Sequence, residues 1–299
     1  MKTLHRDFCP LCASTRLTPR LTCTDHYASG EQFTLTQCEG CGLLFTQDAP
    51  TEQDMPHYYL PAHTNRPGGP NPEKDSLLIK ALRKRGLNYK ADIVEKLSGR
   101  TRGDLLDICA RAGLFPQTMQ QRGWNVHACE PDIVYRQYAL HHYGLEMLSP
   151  THLMQGGAGL YDVITLWQAI EHEPQISLYW DLAARLLRTD GRLIIAVPNC
   201  ASADAAHYQE NWAAYDVPRH LWHFTPHSML RMAEAHGFRQ VDVRTMAMDA
   251  FPVSVHSEQN RGHRHSYLGR GIWHGFRSYM QSLVNKERSS TLIYAFRKK

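Results

Sequence analysis

Four cysteines near the start of the chain stand at metal-ligand spacing. Cys9 and Cys12 form "CPLC", 25 residues follow, and Cys38 and Cys41 form "CEGC". Two thiolate pairs on two tight knuckles can converge on one tetrahedral Zn²⁺. The competing reading is two disulfides or unrelated thiols. A unit this small has little core, so a bound metal would supply much of its stability. Cys23 lies outside the pattern and reads as a core or strand residue.

A second set of reactive side chains lies between residues 100 and 230. Asp107 closes the apolar run "DLLDIC", and Glu130 follows 23 residues later in "CEPD", ahead of Pro131 and Asp132. A carboxylate at that position can accept both ribose hydroxyls of a bound nucleoside. The stretch "YDVITLWQAIEH" brings Trp167, Gln168, Glu171 and His172, and "AVPN" brings Asn199. "AAYDVPRHLWHFTPHSM" adds Asp216, Arg219, His220, His223 and His227. Histidine suits proton abstraction near neutral pH, and arginine suits a phosphate or carboxylate. Plainer readings stand beside these. His172 can cap a helix or bridge loops, and His220 and His223 can pin "PRHLWHF" to the domain. The spacing of that histidine pair is not diagnostic of a metal.

These side chains need elements to hold them. "SGEQFTLTQC" alternates like a hairpin strand. Residues 60–76, rich in proline and glycine, read as a linker or exposed loop. Helical patterning follows over 76–99, with Leu78, Leu82, Ile93, Val94 and Leu97 on the apolar stripe and many basic residues on the solvated face. From Asp104 onward strand and helix alternate. "DLLDIC", "WNVHACE", "YDVITLW", "GRLIIAVPN", "RQVDVRTM" and "STLIYAFRK" read as strands. "LFPQTMQQRG", "IVYRQYALHHYG", "QISLYWDLAARLLRTDG" and "SMLRMAEAHGF" read as helices, the last two closed by glycine. This rhythm predicts a doubly wound, mostly parallel sheet. Ligands of such a sheet bind beyond the carboxyl ends of its strands. A basic and aromatic insertion at about 247–289 breaks the rhythm and reads as an excursion over one face, suited to a sugar, a nucleotide or a phosphate-bearing substrate. A packing helix with one solvated side is the alternative.

The 299 residues, 42% hydrophobic and 21% charged, suit one large core with a small appended module. A net charge of +4 does not by itself argue for nucleic acid. No apolar run approaches the roughly 20 residues of a membrane span. The opening "MKTLHRDFCPLC" lacks the apolar centre of a signal peptide, so a cytoplasmic location is expected.

Together these stretches resemble the class I S-adenosylmethionine-dependent methyltransferases over residues 91–238 and the closing strand. The resemblance is strongest to a branch marked by sequences like "DVITLW…EH", "LL…GRLIIAVPN" and "YDVPRHLWHFTP". Members of that branch often carry an N-terminal cysteine zinc module. The resemblance implies a seven-stranded Rossmann-like methyltransferase sheet with a zinc ribbon at 1–50. A linker and helical lead-in at 51–90 and a methyltransferase domain at 91–299 complete the chain. It implies that Glu130, Pro131 and Asp132 hold the adenosyl group. Methionine would lie near Asp107, Cys109, Arg111 and Gly113, and the reacting centre beside Trp167, Gln168, Glu171 and His172. His172, His220 and His223 are then candidate bases, and Glu171, Asn199 and Arg219 face the acceptor.

One departure stands out. The family loop reads Asp-Ile-Gly-x-Gly-x-Gly, whereas here Cys109 and Arg111 replace the first two glycines and Gly113 keeps the third. Glycine serves there because it allows positive φ and close backbone approach. Three placements of Arg111 are open: toward solvent, paired with an acidic group of the ligand, or filling the site. The leading reading is methyl transfer to oxygen or carbon of a small or carbohydrate-like acceptor, nucleotide-activated ones included. The alternatives are an RNA methyltransferase and a non-catalytic binding protein on the same fold. Asp-Pro-Pro-Tyr or Asn-Pro-Pro-Tyr, the amino-methylating signature, is absent after "DVITL".

Overall fold

The computed structural model describes residues 2–59, 76–263 and 265–299. The expected linker at 60–76 lies outside them except for Ser76, whose hydroxyl accepts from the Ile79 amide and caps the first long helix.

The N-terminal part contains β1 (Thr3–Leu4), β2 (Leu17–Thr24), β3 (Gln32–Cys38), β4 (Leu44–Thr46), β5 (Ala49–Pro50) and α1 (Pro56–Tyr59). The hairpin expected at "FTLTQC" is the β2–β3 pair, and Cys23 is a buried strand residue in it. The second part follows as α2 (Leu77–Ser98), β6 (Asp104–Ile108), α3 (Leu114–Gln121), β7 (Asn125–Cys129), α4 (Ile133–Tyr143), α5 (Pro150–Met154) and β8 (Tyr161–Trp167). It continues with α6 (Ile176–Leu186), β9 (Leu187–Pro198), α7 (Ala203–Tyr208), β10 (Trp222–His223), α8 (Pro226–Ala235) and β11 (Phe238–Thr245). The chain ends with α9 (Ala250–Asn260), α10 (Tyr267–Val284) and β12 (Thr291–Lys298).

The main sheet has the order β11-β12-β9-β8-β6-β7. β7, β6, β8 and β9 pair in parallel, and β12 runs antiparallel to both of its neighbours. Alternate side chains feed two cores, as strand geometry requires. Leu105, Val163, Ile194 and Ile293 meet Ala91 and Val94 of α2 and Phe115 and Met119 of α3. Leu106, Ile164, Leu193 and Tyr294 meet Trp180 of α6 and Met229 and Met232 of α8.

Two expectations are corrected. The sheet has six strands among the described residues, not seven. Beyond β7, residues 145–148 reach only a single parallel bridge, Cys129 to Leu148. Ser149 at once caps α5 and Pro150 occupies its first turn, so no ladder can extend. The helix expected to run to Gly191 ends at Leu186, and "LRTDG" belongs to β9. Gly191 packs in that strand, where a Cβ would stand 2.7 Å from Leu187 Cγ. The insertion is a helical hairpin, α9 and α10, in keeping with the alternative of a packing helix with one solvated side.

The two parts share structure. β10 comes from the second part yet pairs with β4, giving a four-stranded sheet of order β10-β4-β3-β2. Cys9, Cys38, Cys41, Leu43 and Phe45 belong to the same continuous core as β8, β9 and α6.

Candidate active site

The loop after β6 resolves the substitution puzzle at the level of backbone shape. Cys109, Arg111 and Gly113 have φ of 59°, 51° and 79°. All three family glycine positions therefore keep the left-handed conformation, two of them with side chains that disfavour it by roughly 1–2 kcal/mol each. Only glycine fits the third: a Cβ on Gly113 would lie 2.7 Å from Met147 Cε and 3.0 Å from Leu145 Cδ2. Cys109 Sγ donates to Glu173 Oε1 at 3.3 Å. Arg111 is exposed, and among the described residues no hydrogen bond or ion pair of its guanidinium is recorded. Its charge acts on Glu130, Glu171, His172 and Lys90, so the exposed guanidinium stands at the mouth of the site.

Glu130 lies just past the tip of β7 and is buried. Its carboxylate receives the Arg111 amide at 2.7 Å and the Asp132 amide at 3.0 Å, which orients both oxygens. Burial raises its pKa, while these two amides and the Arg111 charge hold it down. Asp132 also caps α4 through the Val134 amide at 2.8 Å, and Pro131 is exposed between them. Asp107 is buried one strand away and accepts from Thr165 Oγ1 at 2.6 Å. Burial lifts its pKa to about 7, against the Thr165 hydroxyl and the Lys90 charge.

The next strand end carries the reactive cluster. Trp167 closes β8 with its ring 5.2 Å from Phe115, and Gln168, at φ 50°, donates to Asp249 Oδ2 at 3.2 Å. Glu171 follows in a short 3₁₀ turn, completely buried; among the described residues no well-formed hydrogen bond reaches either carboxylate oxygen, and only the Glu171 and Ala169 amides and the Arg111 charge favour its ionised form. Burial pushes its pKa up to about 8. His172 Nδ1 lies 3.0 Å from the Arg219 carbonyl and His220 Nδ1 lies 2.9 Å from the Ala214 carbonyl. A carbonyl can only accept, so each Nδ1 carries the proton and each Nε2 keeps a lone pair. Burial drives His172 down to about 3 and His220 to about 4, so both rings are neutral. The two rings meet edge to face at 4.5 Å, and ligand atoms of Glu171, His172 and His220 all lie within 4.8 Å of one another.

Other expected site residues prove to be structural ties. Arg219 is 1% exposed. It donates to Asp25 at 2.9 Å, to Asp216 at 2.7 Å and to the Tyr58 carbonyl at 2.9 Å, and stacks on Tyr27 at 4.6 Å. This guanidinium is spent clasping the two parts together rather than facing an acceptor. His223 Nε2 donates to Thr46 Oγ1 at 3.0 Å, inside the β4–β10 seam, and burial holds its pKa near 3. Asn199 gives both amide hydrogens to the Glu287 and Ser289 carbonyls at 2.7 and 2.9 Å. His227 is exposed on α8.

Two site residues escaped sequence reasoning. Lys90 of α2 lies 4.8 Å over the Trp167 ring. Burial lowers its pKa, while Asp249 and Asp107 pull it back up. Its signal was present: a lysine set between Leu87 and Val94 on an apolar helix stripe. Tyr59, whose hydroxyl is 3.1 Å from His172 Nδ1, carried no such signal.

The four expected metal-site cysteines do converge. Cys9 Sγ is 3.5 Å from Cys41 Sγ and Cys12 Sγ is 3.5 Å from Cys38 Sγ, and all four sulfurs lie within 4.8 Å of one another as free thiols.

A sequence model described as "methyltransferase domain" matches residues 81–243. The chain belongs to the methyltransferase-domain family. Through that family it is an S-adenosylmethionine-dependent methyltransferase. Solved structures of the same fold include a putative sarcosine dimethylglycine methyltransferase from Galdieria sulphuraria. It is 12% identical at a TM-score of 0.51, over 74% of this chain and 87% of that one. A 1,6-didemethyltoxoflavin-N1-methyltransferase from Burkholderia thailandensis is 17% identical at a TM-score of 0.45, over 71% and 78% of the two chains. The geranyl diphosphate C-methyltransferase of Streptomyces coelicolor is 11% identical at 0.48, over 71% and 79%. No curated protein sequence matches. Among the described residues no helix is long and apolar enough to cross a membrane.

Proposed function

We propose that this methyltransferase acts on an oxygen or acidic carbon of a small or carbohydrate-like acceptor bound against Glu171, His172 and His220. The observation that carries this reading is the buried Glu171 carboxylate, which no well-formed hydrogen bond reaches among the described residues and which lies beside two lone-pair nitrogens. An unpartnered buried carboxyl is costly unless function retains it. The sequence pointed to a histidine as base. The neutral, depressed imidazoles are better suited to orienting the acceptor hydroxyl through their Nε2 lone pairs, while the ionised form of Glu171, a minority at neutral pH that grows as pH rises through about 8, takes the acceptor's proton.

S-adenosylmethionine, when bound, supplies the methyl group on its sulfonium. Glu130 would accept the ribose hydroxyls, because its oxygens are oriented by two amides and each keeps a lone pair. Pro131 and Asp132 would border the adenosine, and Trp167 and Gln168 would line the opposite wall. Asp107, Cys109, Arg111 and Gly113 would flank the amino-acid end, with Lys90 as an added cation. The scaffold alternative required Arg111 to fill the loop, and its exposed side chain argues against that. Nothing in the site favours an RNA acceptor.

The test is calorimetry with S-adenosylhomocysteine, followed by labelled-methyl transfer into fractionated small-molecule extracts. Wild type should bind, Glu130→Ala should lose binding, and Glu171→Gln should bind normally but transfer nothing. Equal binding by wild type and Glu130→Ala would refute the ribose assignment. Undiminished transfer by Glu171→Gln would refute the base. The Cys9–Cys12–Cys38–Cys41 cluster is read as a structural Zn²⁺ site, since sulfurs of one tetrahedral zinc lie roughly 3.8 Å apart.

A further inference from the structure

The hairpin of α9 and α10 is built inside out for a helix pair in water. α10 buries its small residues, Gly271, Gly275, Ser278 and Ser282, and turns its large apolar ones outward. The close crossing is strict: a Cβ on Gly271 would stand 2.5 Å from Val255 Cα, and one on Gly275 2.8 Å from Phe251 Cα. Small residues four apart that bring two helices into backbone contact are the packing habit of membrane helices. On the other side, Leu268, Ile272, Trp273, Phe276, Met280 and Leu283 form one exposed stripe, with Trp273 62% exposed. At 100° per residue this stripe spans nearly half the helix circumference.

The charge beside the stripe says what covers it. α10 contains no acidic residue; Arg277 runs along the stripe's edge, and Arg270 beside it is ion-paired with the buried Glu258 of α9 at 2.9 Å. Past Arg277 lies a cavity of about 230 Å³ between α7 and α10, lined by His207, His274, Arg277 and Arg288 and also by Asp204, whose carboxylate accepts from Trp212, Ser278 and Ser290. No hydrogen bond or ion pair is recorded for the Arg277 or Arg288 side chains among the described residues. An apolar stripe with tryptophan, rimmed by arginines that border a phosphate-sized slot, matches an acyl boundary beneath anionic headgroups. A second copy would bring no carboxylate of α10 to those arginines. With Arg270, His274 and Arg277 along its length, α10 fits a helix lying in the interface rather than crossing the bilayer.

We propose that this methyltransferase docks on anionic phospholipid surfaces through the outward face of α10. The inference is independent of the acceptor assigned above. Flotation of the full chain should show binding to vesicles of equimolar phosphatidylcholine and phosphatidylglycerol, and much less to pure phosphatidylcholine. W273E/F276E, on exposed positions, should abolish vesicle binding while S-adenosylhomocysteine affinity stays unchanged. Arg277→Ala and Arg288→Ala should each weaken binding about five-fold, the equivalent of about 1 kcal/mol per basic residue at a charged surface. Absence of wild-type flotation would overturn the proposal, as would flotation indifferent to W273E/F276E. So would a dimer in light scattering that W273E/F276E dissolves without any vesicle binding, or inorganic phosphate binding at Arg277 and Arg288 with no vesicle association.

Discussion

At the scale of single residues, the loop after β6 shows how a motif can be lost in letters and kept in shape. Arg111 occupies a left-handed position at φ 51° with an exposed side chain whose charge reaches Glu171 and His172. Arg111→Gly should therefore stabilise the protein by about 1 kcal/mol, a rise of about 2–4 °C in thermal midpoint, with S-adenosylhomocysteine affinity kept. Thermal melts and calorimetry check both. Glu171 gives a sharper signature. Its folded pKa, about 8, lies above its usual value, so the folded state holds an extra proton between the two. The stability this proton supports is complete at low pH and is lost as pH rises through about 8. Glu171→Gln removes the penalty, so its gain in melting temperature should grow from about pH 5 to pH 8 and then level off. A pH-independent difference would show that the carboxyl is not buried unpaired. Residue types were legible here and partners were not. Asp107, Glu130 and the Glu171–His172 pair fall where strand ends put them. Arg219, Asn199 and His223 looked like site residues because partners that occupy them, Asp25 and Tyr58, Glu287 and Ser289, and Thr46, lie many positions away in the chain.

At the scale of elements, the errors share a cause. Period and propensity locate a helix or strand, but tertiary pairing decides where it stops. "LRTDG" reads as the end of a helix until Leu187 finds Tyr161 across the sheet. Residues 145–148 read as nothing and reach only one bridge. The α9–α10 hairpin was legible only as an alternative, because its buried faces are mostly glycine and serine, which carry no hydrophobic signal. The segment 216–224 is the strongest case of an element defined by its contacts. Arg219 anchors it by pairing with Asp25 and Asp216, all three with little solvent access. Removing one partner of a buried pair leaves an uncompensated charge, at about 3–5 kcal/mol. Arg219→Met should cost that much in denaturant unfolding, whereas a residue merely waiting for an acceptor would cost almost nothing. D25N/R219M, which removes the fully buried Arg219–Asp25 pair and leaves only the partly exposed Asp216 charged, should recover part of the loss.

At the scale of the whole molecule, the cysteine knuckles and the methyltransferase sheet were legible as separate units, and their union was not. No pattern in "HLWHF" announces that it will complete a sheet begun at residue 17. The union has a physical route. The β3–β4 turn carries Cys41, and β4 pairs with β10. The Thr46 amide donates to the Leu221 carbonyl at 3.0 Å, and the Leu221 amide donates to the Glu171 carbonyl at 2.8 Å. Two hydrogen bonds thus separate the knuckle sheet from the residue proposed to hold the acceptor's proton. With cysteines, β4 and β8 in one core, the parts lack the independent cores that separate melting would need. Metal should be found at one zinc per chain by elemental analysis. Calorimetry of that form should give a single transition, and a zinc chelator should move the whole transition down rather than split off a low-temperature one. A split, or a chelated protein that melts unchanged, would mean that the knuckles are an appendage and that the seam at β10 carries no stability between them.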